Sequence, residues 1–413
     1  MDVSTLSILL SIYPIYLSLL KMNNPTSNDL TCPDISTSQK TQPLHLSALD
    51  SLRGLAALYV VLGHSFHQAN VDERQLPALL RFCLRFFDYG HYAVVLFIVL
   101  SGFCLMLPVI RNGGEMRDDL KKFFLRRSIR ILPPYYVTLL FSAILSSTLI
   151  SQSNNEIWDS SLPVSLGNIT THLFLIHDLF QSDISKINPP LWSIAVEWRI
   201  YFFFPIFVAL WKTMGGWKTT ITTLGLSYTL FSILSLTPFF NSQPPGPSLH
   251  FFALFAMGML AADIVFVDIE WNRQLRKNIP WTLLACTTWI FAIPAYGLKN
   301  INGFTWLLSD IIAGITGMSL LVAVLSFRSH PLNTLLNWQP LVKLGGFSYS
   351  IYLIHMPLIQ LFIQYISHPL RLSPVIELIF TACVGVPSVV VIGYLFFLMF
   401  EKPFLRKRST VTP

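Results

Sequence analysis

Apolar positions along this chain gather into long unbroken runs rather than the narrow stripes of half-buried soluble helices. The runs fall at 50–68, 90–110, 131–151, 191–211, 219–237, 249–267, 281–298, 305–327, 346–366 and 376–400. A helix of roughly 18 residues or more can cross a hydrocarbon layer about 30 Å thick. Backbone in lipid must bond to itself, so such runs are expected to be helical. The pattern predicts an all-α membrane protein, a polytopic bundle of about ten transmembrane helices. Residues 1–45 read differently. Thr5 to Leu20 is apolar but short for a span, and a polar Ser/Thr/Asn/Pro stretch follows it. This N-terminal part reads equally as an interfacial segment or a weak anchor, and as dispensable. The ten-span domain is expected over 46–406, followed by a tail at 407–413 and no appended soluble domain.

Composition fits that class. Charged residues are 12% of the chain, about half the share in a soluble domain. The net charge of +7 has a plain topological explanation. With both ends of the core on one side, 21 of the 28 Lys and Arg fall on that side, 6 on the other, and Arg199 inside a run. Basic residues favour the cytoplasmic side, so both core ends are expected in the cytoplasm, with the chain in the inner (plasma) membrane. No basic stretch is interleaved with stacking aromatics, so a nucleic-acid partner is not expected. The five Cys lack the spacing of a zinc site or a disulfide framework, and no metal is expected.

Ionisable residues within spans are costly and are functional candidates by default. Arg53 and His64 are eleven positions apart in the first run, close to three helical turns. They share one face roughly 16 Å apart along the axis. Asp50, one turn before Arg53, is placed to hold the guanidinium. Arg53 is expected at the cytoplasmic mouth and His64 about halfway across the bilayer. His64 reads either as a structural imidazole or as a general base, and the aligned Arg53 favours the second. In the fourth run, Ser193 and Glu197 are an i,i+4 pair, with Trp192 beside them as a surface for a sugar ring. Glu197 is expected to orient His64 or to hold an acceptor hydroxyl. Arg126, Arg127 and Arg130 form a dense positive mouth. It is read equally as a topological signal and as a phosphate site for a nucleotide-like cofactor. Ser101-Gly102 offers a point of close approach for a helix or an acyl chain. His355, beside Pro357, is a further candidate. Asp263, Asp310 and Glu377 lie near run ends and are expected at the interface.

These residues sit in blocks with a known order. Leu49-Asp-Ser-Leu-Arg-Gly with His64, Leu100-Ser-Gly-Phe, Arg126-Arg-Ser-Ile-Arg-Ile-Leu-Pro-Pro-Tyr-Tyr, Leu191-Trp-Ser-Ile-Ala-Val-Glu, Phe347-Ser-Tyr-Ser-Ile-Tyr-Leu-Ile-His and Glu401-Lys-Pro-Phe follow one another over about 46–406. Together they resemble the acyltransferase-3 family of membrane O-acyltransferases. The resemblance implies a ten-span fold that moves an acyl group, usually acetyl from acetyl-CoA, onto a hydroxyl of a carbohydrate or glycoconjugate. It implies that Arg53 and His64 are essential, and that Arg127 and Arg130 serve the acyl-CoA side. Trp198 departs from the Glu or Gln that usually follows the family's Glu, while Glu197 is kept. Acyl transfer through the bilayer interior is therefore expected. Catalysis falls to His64, Arg53 and Glu197, donor binding to Arg127, Arg130 and Arg126, and acceptor binding to Ser193, Trp192 and His355. The alternative is a transporter or exporter of acylated sugars, which would also carry charge at mid-membrane.

Overall fold

In a computed structural model the described residues are 46–151, 157–235, 248–297, 303–327 and 330–405. The run Thr5–Leu20 and the tail 407–413 lie outside them. Every regular element among the described residues is helical. The principal helices are α1 (Ser47–Gln68), α2 (Gly90–Arg111), α3 (Leu120–Ser147), α4 (Leu191–Ser235), α5 (His250–Phe266), α6 (Trp281–Gly297), α7 (Gly303–Ser326), α8 (Ser348–Phe362) and α9 (Pro374–Phe404).

Each predicted run falls on one of these helices, and two of them share α4. They meet at Gly215, whose φ of +81° breaks the helix in a region that side chains avoid. Six described helices are both long and apolar enough to cross a membrane, or seven if α5 and the helix Glu270–Asn278, bent by 98°, count as one span. The expected count of about ten is higher. The chain is an all-α membrane protein, with α1, α5 and α6 outside the set of six. α6 is only 17 residues long, and α1 carries Asp50, Arg53, His64 and His67 among its 22.

The centre of the bundle is α2 against α5, both buried along most of their length. Their backbones almost touch. A Cβ on Gly102 would stand 2.0 Å from the Phe255 carbonyl oxygen, and one on Gly258 would stand 1.9 Å from that of Val99. The close approach expected at Ser101-Gly102 is therefore to a helix. α4 and α7 flank this pair, α1 lies beside α2, and α8 lies beside α1. The start of α1 is pinned in the same way, Gly345 of the short helix Gln339–Gly346 lying against the Asp50 carbonyl. Large apolar side chains such as Leu140, Ile144, Ile206, Phe291, Val391 and Met399 face outward from α3, α4, α6 and α9, as a lipid-facing surface requires.

The segment between α3 and α4 is tied down by polar contacts. Its Asn188 is fully buried and donates from Nδ2 to the carbonyl oxygen of Leu353 at 2.9 Å. That carbonyl is the one Pro357 leaves without its helical N–H. His172 and His177 stack with ring centroids 3.7 Å apart, both fully buried, and Asp178 pairs with Arg199 of α4. Burial lowers His172 to about 4, and His177 lower still.

Two outcomes are expected. Gly102→Val should destabilise the bundle by about 3 kcal/mol or more, because the obstacle is backbone that cannot move aside. Gly90→Ala, with open space at its Cβ, should leave the melting temperature in detergent unchanged. The second concerns pH. An opened segment takes up protons near the ordinary imidazole value of about 6.5, whereas the closed one resists them until far lower. Its stability is thus complete above that value and declines as pH falls toward 4, by up to about 3 kcal/mol for His172. His172 faces the Asn168 carbonyl and Asp183, and His177 faces Arg199. Hydrogen exchange of residues 166–188 should accelerate between pH 7.5 and 5 relative to α2.

Candidate active site

Helices α1, α2, α3, α4 and α8 enclose one cavity. On α2 it runs from Val94 to Leu105, eleven residues or about 16 Å. Val94, Phe97, Ser101 and Leu105 fall at helical spacing and form one face. The cavity has two chemically distinct ends. Asp50, Arg53, Arg127, Arg130 and Glu401 line the first, and Ser193 and Tyr352 line the second.

At the basic end, Arg53 donates to Asp50 Oδ1 at 3.4 Å and to Cys104 Sγ at 3.0 Å, so the expected Asp50 contact is present. Arg127 lies 5.8 Å from the ring centres of both Phe123 and Tyr201. Its Nε is buried with no hydrogen-bond partner. Such a donor costs free energy unless something supplies an acceptor, and an anionic group entering the cavity would do so. Arg126 does not line the cavity and is paired with Asp118.

Between the ends, Ser193, Glu197 and Tyr201 form an i, i+4, i+8 row on α4, and all three line the cavity. Glu197 Oε1 accepts from Ser101 Oγ at 2.8 Å and from Tyr201 Oη at 2.5 Å. Ser193 Oγ and Tyr352 Oη are 2.8 Å apart. Tyr201 was legible as the next member of the Ser193–Glu197 row, whereas nothing local in the sequence marks Cys104. Trp192 turns away from the cavity and stacks on His91, with centroids 6.1 Å apart.

His64 is not on the cavity lining. Its Nδ1 is 2.8 Å from Nε2 of His355, whose Nδ1 in turn is 2.7 Å from the Tyr352 carbonyl oxygen. Tyr352 is thus the link between this pair and the cavity, its ring centre 5.6 Å from that of His355. His355 is fully buried, and His64 is partly exposed. Glu197 is not bonded to His64; its carboxylate is engaged by Ser101 and Tyr201, and the side chain hydrogen-bonded to His64 is His355. Arg53 and His64 do share one unbroken helix. His64 lies four residues before the helix ends at Gln68.

The acidic residues at run ends also differ from expectation. Asp310 is fully buried and accepts from His91 at 2.9 Å and from His250 at 2.8 Å. Asp263 accepts from the Trp211 indole at 2.9 Å. The end of a run can face a neighbouring helix as readily as water, and both carboxylates do so. Glu377 accepts from Ser367 Oγ at 3.1 Å. Among the described residues no three His, Cys, Asp or Glu side chains are grouped to hold a metal ion.

Comparison with known proteins gives this geometry a family. The chain is 27% identical over 357 residues to YrhL of Bacillus subtilis, provisionally named a peptidoglycan O-acetyltransferase, across 82% of this chain and 52% of that one. It is 24% identical to the acyltransferase MdmB of Streptomyces mycarofaciens, across 77% and 80% of the two chains. It is 23% identical to the peptidoglycan O-acetyltransferase OatA of Listeria monocytogenes, across 89% and 57%. The matched region thus spans only 52% of YrhL's length and 57% of OatA's. No solved structure matches it. A family profile described as an acyltransferase domain matches residues 46–398, which takes in the cavity apart from Glu401, and the chain belongs to that acyltransferase-3 family.

Proposed function

We propose that this protein is an integral-membrane O-acetyltransferase that takes acetyl from cytoplasmic acetyl-CoA and places it on a carbohydrate hydroxyl across the membrane. Peptidoglycan is the acceptor class suggested by the names of YrhL and OatA. The observation that carries this reading is the cavity. Three guanidinia gather at one end, one of them with a buried unpaired donor. Hydroxyl groups and the His64–His355 pair lie toward the other end. The separation of Arg53 and His64 along α1, about 16 Å, suits a donor anchored by its phosphates at one end and reacting at the other. The excess of Lys and Arg supports a cytoplasmic basic end and an inner (plasma) membrane location.

In this reading Arg53, Arg127 and Arg130 hold the donor's phosphates, where the guanidinium fork pairs with two oxygens at once. Glu197 fixes Ser101 and Tyr201, so that the cavity wall presents oriented dipoles. Ser193 and Tyr352 line the end where the acceptor arrives. His64 accepts the proton of the acceptor hydroxyl as its oxygen attacks the thioester carbonyl. The new C–O ester bond forms, the C–S bond breaks, and His64 returns the proton to the departing sulfur.

The test is release of CoA thiol by purified protein in nanodiscs supplied with acetyl-CoA and a peptidoglycan fragment. His64→Ala should lower turnover by about 10²-fold or more. Arg127→Ala should raise KM for acetyl-CoA about tenfold, near 1.4 kcal/mol, with little change in kcat. Full activity of purified His64→Ala overturns the assignment of the base. Transport of an acylated sugar without thioester consumption favours the exporter reading instead.

A further inference from the structure

The hydrogen bonds around His64 fix which of its nitrogens can act. A backbone carbonyl oxygen only accepts, so the 2.7 Å contact between His355 Nδ1 and the Tyr352 carbonyl places the proton on Nδ1. A neutral imidazole carries one N–H, which leaves Nε2 of His355 with a lone pair. The 2.8 Å contact to His64 must then be donated by His64 Nδ1. The two ring planes differ by 7° with centroids 5.1 Å apart. With nitrogens this close, that separation sets the rings edge to edge in nearly one plane, the arrangement for a straight N–H···N bond. An imidazolium at His355 would be fully buried with no carboxylate bonded to it, an uncompensated charge. The chain is therefore neutral, and it leaves the lone pair of His64 on Nε2. That atom has no hydrogen-bond partner among the described residues.

Resting on the reading of His64 as the base, we propose that His355 is the positioning residue of acyl transfer. It holds His64 in the Nδ1–H tautomer and aims Nε2 at the acceptor hydroxyl. The support behind it is structural. Asn188 bonds the Leu353 carbonyl at 2.9 Å, one residue beyond the carbonyl that fixes His355, and steadies α8 where Pro357 interrupts its hydrogen bonds.

The experiment compares wild type, His355→Phe and His355→Gln in the thiol-release assay, with His64→Ala alongside. The Gln amide oxygen can accept from His64 Nδ1 in place of His355 Nε2, and Phe offers no acceptor. His355→Phe should lower kcat about 10²-fold with KM for acetyl-CoA unchanged, and His355→Gln should restore most of the loss. Equal kcat in wild type and His355→Phe, with His64→Ala inactive, overturns the role of His355 and leaves the base assignment standing. Unchanged activity in His64→Ala overturns the base, and the role of His355 with it. Should His355→Phe fail to fold, the wild type still decides. In histidine-selective ¹⁵N spectra of the nanodisc-embedded protein, with His64 assigned by its loss in His64→Ala, a protonated Nδ1 and a bare Nε2 support the proposal. The opposite tautomer refutes it.

Discussion

A polar group carried into the apolar interior of this bundle must find its partner within the protein, and that constraint shapes the arrangement of the helices. Backbone groups meet it by helix formation, and side chains meet it in closed clusters. Asp310 is shared by His91 and His250, Glu197 by Ser101 and Tyr201, and Asp263 by Trp211 and Asn272. Against that background two open positions have chemical meaning. Arg127 Nε is a donor without an acceptor, and His64 Nε2 is an acceptor without a donor. Other buried groups are open too, Trp158 Nε1 and Ser319 Oγ among them, but they neither line the cavity, as Arg127 does, nor bond to a chain that reaches it through Tyr352, as His64 does. A basic end that lacks an anion and an imidazole that lacks a proton donor are what a binding and transfer site needs before its substrates arrive.

The closeness of α2 and α5 makes room for that site. Gly102 and Gly258 let the two backbones meet on one face of α2. The face that carries Val94, Phe97, Ser101 and Leu105 is then free to line the cavity. A bulkier residue at either glycine would push α2 toward α1 and α4, into the space between Arg53 and Glu197. The small residues therefore support function through geometry without touching a substrate.

Much of this was legible in the sequence because it is local. Length and apolarity located the helices, phase along a single helix aligned Arg53 with His64, and the i,i+4 rule placed Ser193 and Glu197 on one face. What could not be read was which helix each face meets. His355 is 291 positions from His64, and helical phase says nothing about a partner so distant in the chain. Glu197 seemed suited to orient an imidazole, yet its neighbours Ser101 and Tyr201 engage it first. Asp263 and Asp310 looked interfacial because they stand near run ends, but an end packed against another helix is interior. Arg126 belongs to the right basic block and still points away, since residues adjacent on a helix diverge by about 100°.

The nature of the partner also bears on how an imidazole can work here. Proteins in water often orient a catalytic histidine with a carboxylate, whose charge steadies the imidazolium formed in the reaction. Buried among apolar side chains, a second permanent charge must itself be desolvated, and the attraction it gains can fall short of that cost. A neutral histidine backed by a carbonyl gives direction without adding a charge to the resting site. In the proposed mechanism, when His64 takes a proton, the lone pair of His355 still accepts from Nδ1, and the new charge lasts only until sulfur departs. Arg53 stands about 16 Å away along α1, with Arg127 and Arg130 at the same end of the cavity, so in the proposed mechanism the three hold an anion there and raise little opposition to a transient cation at His64. In that mechanism the separation lets strong anion binding in the cavity coexist with proton transfer at the His64–His355 pair beside it.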